Sequence, residues 1–107
     1  MQLVHFHASH REAVLAGTKA STVRWRESIA PGPAHFVFGD APAPTWSGRV
    51  LDVVSHSLAD LTAEAAHQPP GTDMRRFAQD LRSNHYPDMG DEAHVEVVTF
   101  VLEAPLP

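Results

Sequence analysis

The run from Val95 to Leu102 is the strongest strand signal in this sequence. It is rich in β-branched residues and almost continuously apolar, a pattern typical of a strand that is buried on both faces. We therefore expect a central, well-buried strand near the C-terminal end of the chain.

Other segments of the sequence predict four further strands and short helices. Further strands are expected at residues 3–6, 20–26, 34–38 and 46–55, where β-formers alternate or cluster between turn residues. Ser9 and Glu12 have the spacing of a capping box for a short helix, and Gly17 suits a left-handed helix end. Thr72 is the predicted cap of a later helix, and residues 58–66 are expected to form a short helical turn. The apolar stripe of the later helix is predicted at Met74, Phe77, Ala78 and Leu81.

The order of these elements predicts a small α+β domain with a curved or barrel-like sheet and short helices at its edges. A length of 107 residues is suited to one domain, and we expect residues 1–107 to form it.

The sequence has no cysteine, which excludes disulfides and thiolate sites and favours the cytoplasm. No apolar run approaches the length of a membrane span, so no membrane partner is expected. The net charge of −5 argues against binding to long duplex DNA.

The segment from Gly17 to Arg26 concentrates polar groups that bear on function. It holds the single lysine of the chain, Lys19, together with Arg24 and Arg26. In a strand, Thr22, Arg24 and Arg26 would share one face, whereas Lys19 must lie in the turn that follows Gly17. Such a cluster fits a small anionic or polar ligand.

This segment resembles the signature of the ASCH family, in which Gly-x-Lys-x-x-Thr-x-Arg follows a short helix. The matching residues are Gly17, Lys19, Thr22 and Arg24. The resemblance extends over nearly the whole chain, through the turn at residues 31–32 and the closing β-branched strand. It implies a β-barrel related to the PUA domain, with a cleft associated with RNA or modified nucleosides. The implied partner is therefore a modified nucleoside or RNA.

Some members of that family hydrolyse N4-acetylcytidine with the motif lysine and threonine and a later glutamate. The resemblance implies Lys19 as the base and Thr22 as the nucleophile. The stretch that corresponds to the glutamate contains none, and the nearest acids are Asp73 and Glu64. The predicted substrate-binding residues are Gly17, Ser21, Arg24 and Arg26.

The sequence also allows three alternatives to catalysis. The chain could be a non-catalytic module that binds RNA or a modified nucleoside, because the family glutamate is missing. Lys19, Arg24 and Arg26 could also be a solvated strand edge. A metal site is the third alternative, because imidazoles are available at His5, His7 and His10. The sequence has no recognised metal-binding spacing, so we predict neither metal nor cofactor.

Overall fold

The computed structural model describes residues 1–107, which form five strands and two α-helices. Short 3-10 turns cover Ala8–His10 and Leu58–Asp60. The helices are α1 (Arg11–Ala16) and α2 (Met74–Asn84). The strands are β1 (Gln2–Phe6), β2 (Ser21–Arg24), β3 (Gly32–Phe38), β4 (Trp46–Ser57) and β5 (His94–Pro105).

The five strands form one mixed sheet in the order β1-β3-β4-β5-β2. Strand β1 pairs in parallel with β3, where Val4 is opposite Phe36, and β3 pairs antiparallel with β4, where Ala34 is opposite Gly48. Strand β5, which contains the run at residues 95–102, lies inside the sheet between β4 and β2, as its apolar sequence predicts. The α+β class is thus confirmed. None of the helices is long and apolar enough to cross a membrane.

The chain divides into two compact units. The first unit comprises Met1–Thr22, Ser28–Val53 and Val98–Pro107. Its core contains three phenylalanines in mutual contact, with ring centroids 5.2 Å apart for Phe6 and Phe100 and 5.6 Å apart for Phe36 and Phe100. The other buried members are Val4, Val14, Ile29, Ala34, Phe38, Val50 and Val98.

The second unit comprises Val23–Glu27 and Val54–Val97 and has a core of its own. Helix α2 packs its predicted apolar stripe against that core, although each side chain of the stripe stays partly exposed. The stripe residues are Met74, Phe77, Ala78 and Leu81. The buried residues are Val23, Leu58, Leu61, Ala66, Met89, Val95 and Val97.

The start of α1 differs from the predicted capping box. The N-cap is His10, which makes no side-chain cap bond, and the helix begins at Arg11. Ser9 lies inside the preceding 3-10 turn, where its hydroxyl is 2.8 Å from Nδ1 of His7. The serine is therefore too early in the chain to cap α1. The predicted end is confirmed, because Gly17 has a φ of 80° and its N–H donates to the Val14 carbonyl.

Helix α2 begins one residue later than predicted, with Asp73 as its cap in place of Thr72. The Asp73 carboxylate accepts from the backbone N–H groups of Arg75 and Arg76, at 3.1 and 3.2 Å. The Thr72 hydroxyl instead donates to the Pro69 carbonyl at 2.6 Å. A carboxylate that accepts two amide protons is the better cap, and the threonine closes the preceding turn.

Candidate functional site

Lys19 lies between α1 and β2, in the first unit. Its backbone N–H donates to the Ala13 carbonyl at 3.0 Å, and the Thr18 hydroxyl donates to the same carbonyl at 3.1 Å. These bonds fold the chain back over the end of α1 after the left-handed Gly17. The predicted placement of Lys19 in a turn after that glycine, outside the strand, is confirmed.

Strand β2 then carries Ser21, Thr22, Val23 and Arg24. Ser21 and Thr22 are half-buried, whereas Val23 and Arg24 are buried. Because side chains alternate along a strand, those of Thr22 and Arg24 project from the same face of β2. The strand ends at Arg24, two residues before the predicted end.

Arg24 is a charged residue that the structure buries, with 8% of its surface exposed. Its Nη1 donates to Oε1 of Glu27 at 2.9 Å. The second carboxylate oxygen of Glu27, Oε2, accepts a hydrogen bond from the hydroxyl of Tyr86. Arg24, Glu27 and Tyr86, which we call the polar triad, all belong to the second unit.

A chain reversal between Arg24 and Glu27 makes this contact possible. Arg26 has a φ of 56°, a left-handed conformation that is uncommon for residues other than glycine. Its guanidinium lies over the Trp25 ring, 4.5 Å from the ring centroid. The prediction that Arg26 continues the strand face of Thr22 and Arg24 is therefore wrong, because the backbone turns before it.

Trp25 links this segment to the end of α2. Its ring contacts that of Tyr86 edge-on, with centroids 5.8 Å apart and an interplanar angle of 75°. Burial and the hydrogen bond to Glu27 raise the pKa of Tyr86 to about 12, although the positive charge of Arg24 opposes the shift. The phenol therefore stays protonated, and remains a donor, throughout the neutral range.

The two predicted acids lie in the second unit, and each has a different setting. Asp73 uses its carboxylate to cap α2, which gives it a structural role. Glu64 is exposed in the turn that follows the second 3-10 turn, where its carbonyl accepts from the N–H of His67.

Glu27 is the acid that binds Arg24, and sequence reasoning missed it. The sequence does show that Glu27 lies three residues after Arg24, a spacing that suits an ion pair. It does not show the left-handed turn at Arg26, which brings the two side chains together.

The second unit also carries an apolar cleft of about 410 Å³ beside α2. Residues of the polar triad do not line it. Its polar rim includes Arg82, which donates from Nε to the Met89 carbonyl at 2.8 Å and pairs with Asp91 at 2.6 Å. The remaining lining residues are Leu58, Ala59, Leu61, Met74, Arg75 and Ala78.

Comparison with known proteins shows similarity in structure only. No protein-family model matches the sequence, and no curated protein matches it. An ASCH domain from Lactobacillus crispatus JV V101 is 10% identical, with a TM-score of 0.66 over 94% of this chain and 79% of that one. A DUF984 protein from Enterococcus faecalis V583 is 15% identical, with a TM-score of 0.64 over 89% and 70% of the two chains.

A third neighbour is a mutant of the ZmASCH protein from Zymomonas mobilis. It is 12% identical to this chain, with a TM-score of 0.63 over 97% of this chain and 73% of that one. Two of these three neighbours are ASCH proteins, and all three match at least 89% of the chain described above. This chain therefore has the fold of the ASCH domain.

Proposed function

We propose that this protein binds a modified pyrimidine nucleoside along the β2 segment, with Arg24 as the main polar contact. The observation that supports this most directly is the buried guanidinium of Arg24, held at 2.9 Å by Glu27. A carboxylate that binds an arginine holds the guanidinium plane in a set direction. Such a group suits the carbonyl oxygen of a pyrimidine base or of an acyl substituent on it.

The next residues along the chain offer a flat surface for a base. Arg26 is exposed, and its guanidinium is stacked on Trp25. Unpaired bases stack on aromatic rings and on guanidinium planes, at about 1 to 3 kcal/mol per base. A ligand that is hydrogen-bonded by Arg24 and stacked on Arg26 would use both groups.

The charge of the chain favours a nucleoside over long RNA. At a net charge of −5, the protein as a whole repels a polyanion. A neutral nucleoside is not subject to that repulsion, and its binding would depend little on salt concentration.

Titration of the isotope-labelled protein with cytidine and N4-acetylcytidine, followed by NMR, tests this proposal. We expect shifts at Thr22, Arg24 and the Trp25 indole. Arg24→Lys keeps the charge but loses the planar fork, so it should weaken binding about tenfold. Arg49→Lys, at an exposed arginine of β4, is the matched control and should leave the affinity unchanged.

Three outcomes would contradict nucleoside binding at β2. The first is no shift with either nucleoside. The second is a set of shifts confined to the apolar cleft, at Met74 and Ala78. The third is tight, strongly salt-dependent binding of a short single-stranded RNA without nucleoside binding, which would make RNA the ligand.

Hydrolysis of an N4-acylated cytidine is a second candidate function. Thr22 and Arg24 project from one face of β2, and Lys19 comes just before that strand. In this reaction Lys19 takes the hydroxyl proton of Thr22, whose oxygen attacks the acyl carbonyl, while Arg24 binds the developing oxyanion. The C–N bond breaks, and the cytosine amine leaves with the proton that Lys19 took from Thr22. Water then hydrolyses the threonine ester to the free acid.

Chromatography of N4-acetylcytidine incubated with the protein tests hydrolysis separately from binding. We expect cytidine and acetate from the wild-type protein. Lys19→Ala and Thr22→Val should each lower the rate at least about 100-fold. Binding without turnover, or turnover that both variants retain, would rule out this mechanism and leave the binding function.

A further inference from the structure

We propose that Glu27 and Tyr86 are positioning residues that set the direction of the Arg24 guanidinium toward its ligand. This inference rests on the proposed function, in which Arg24 is the polar contact to a nucleoside. It assigns a role in that site to a residue 59 positions away from Glu27 in the sequence.

The two oxygens of the Glu27 carboxylate bind different partners. Oε1 accepts from Arg24, and Oε2 accepts from the Tyr86 hydroxyl. A carboxylate held at only one oxygen can rotate about its terminal bond, and its arginine partner can follow it. With both oxygens bound, the carboxylate plane is fixed, and so is the Nη1–H direction of Arg24.

Tyr86 is itself held firmly. Its backbone N–H donates to the Leu81 carbonyl at 2.9 Å, at the end of α2. Its ring lies edge-on against Trp25, and its side chain packs on the second core. Because the phenol stays protonated at neutral pH, the tyrosine is a lasting donor to Glu27. The direction of Arg24 is thus tied to α2 through two side-chain hydrogen bonds.

A purely structural role for the polar triad would have a different signature. If the triad only tied residues 23–27 to the end of α2, breaking it would lower the melting temperature and leave the affinity of the folded protein unchanged. A positioning role predicts a loss of affinity in a protein that is still folded.

The test uses Tyr86→Phe and Glu27→Gln in the full-length chain. Tyr86→Phe keeps the ring contact with Trp25 and removes the hydroxyl that donates to Glu27. Glu27→Gln keeps an acceptor oxygen and removes the charge. The NMR signals of the Arg24 side-chain nitrogens, the melting temperature and the Kd for N4-acetylcytidine are measured for each. Asp91→Asn, which alters the exposed Arg82–Asp91 pair of the same unit, is the matched control.

We expect both triad variants to remain folded, to show faster rotation of the Arg24 guanidinium and to bind about fivefold more weakly. The control should match the wild-type protein in all three measurements. An unchanged Arg24 signal in both variants, or an unchanged Kd in both, would overturn the positioning role. Failure of the wild-type protein to bind nucleosides would overturn the proposed function, and with it any role of the triad toward a nucleoside.

Discussion

Tyr86 is the single tyrosine of the chain, so its ionisation can be read directly from ultraviolet absorbance. We expect tyrosinate to form with a pKa of about 12, because burial and the bond to Glu27 both disfavour the anion. Folding raises this pKa above the usual value near 10. The stability that the protonated phenol contributes is therefore complete below about pH 10 and is lost as the pH rises toward 12.

Glu27→Gln provides the control for that titration. The substitution removes the carboxylate charge that opposes tyrosinate, so the pKa of Tyr86 should fall toward its usual value. Burial remains and should keep it somewhat raised. A wild-type titration near 10 would contradict the described contact between Tyr86 and Glu27.

Gly48 in β4 is a position where any side chain would collide with neighbouring atoms. A Cβ built there would overlap the Val101 carbonyl oxygen and would lie 2.8 Å from the Phe36 ring. Because backbone is one of the obstacles, we expect Gly48→Ala to lower the free energy of unfolding by at least about 2 kcal/mol.

Chemical denaturation of Gly48→Ala measures that loss. Gly90→Ala is the matched control, because a Cβ at Gly90 meets nothing within 4 Å and its φ is not positive. Its free energy of unfolding should stay within about 0.5 kcal/mol of the wild-type value. Equal effects of the two substitutions would show that the contact at Gly48 is not as close as described.

The sequence predicts part of the candidate site at this scale. The alternation around Val23 and the glycine at position 17 place Lys19, Thr22 and Arg24 correctly relative to β2. The partner of Arg24 was not predictable, because an arginine in a left-handed conformation gives no sequence signal of the kind that a glycine gives. Glu27 and Tyr86 join the site only through that reversal and through a contact across 59 residues.

At the scale of elements, the cap of α2 gives a direct test. Asp73→Ala removes the acceptor for two backbone N–H groups and should destabilise the protein by about 1 kcal/mol. Asp73→Asn keeps a side-chain oxygen in the same place, so most of that stability should remain. Thermal or chemical unfolding measures both.

Thr72→Val distinguishes the observed cap from the cap that the sequence predicted. The Thr72 hydroxyl bonds to Pro69, so its loss affects a turn and leaves the helix amides bound. A larger loss of stability from Thr72→Val than from Asp73→Ala would contradict the assignment of Asp73 as the cap.

The long elements were predictable from the pattern of apolar residues, whereas the ends of the short elements depended on local backbone geometry. Strand β5 and the apolar stripe of α2 were predictable because burial imposes a pattern over many residues. The beginning of α1 was not, because the 3-10 turn at Ala8–His10 displaces Ser9 from the capping position. One extra turn of backbone is enough to separate a capping motif from its helix.

At the scale of the whole molecule, the two cores make the prediction of a single domain testable. Each core has its own tryptophan, Trp46 in the first unit and Trp25 in the second. Strands β4 and β5 each contribute residues to both units. Small single domains usually unfold in one step, so we expect both tryptophans to report the same denaturant midpoint.

Variants with one tryptophan, Trp25→Phe and Trp46→Phe, allow that comparison. Each variant is combined with Phe36→Leu, which weakens the first core and leaves the second untouched in composition. In a single domain, both reporters should shift together. A shift confined to Trp46 would mean that the two units are separate domains.

The ASCH fold was predictable from four residues and the order of elements, although the similar solved structures share only 10 to 15% of their residues with this chain. Gly17 ends a helix, and Thr22 and Arg24 project from one strand, so the motif has a structural meaning here. The fold requires few fixed residues because most positions need only the right polarity.

The two bonds of Glu27 close loops of very different length. The pair with Arg24 spans three residues, whereas the bond to Tyr86 spans 59. By the usual logarithmic dependence on length, closing the longer loop costs about 2.6 kcal/mol more in chain entropy. During folding, the reversal at residues 24–27 can therefore form locally, before α2 packs against the core of the second unit. The bond to Tyr86 requires the end of α2 to be in position, so we expect both oxygens of the Glu27 carboxylate to be held only in the folded second unit.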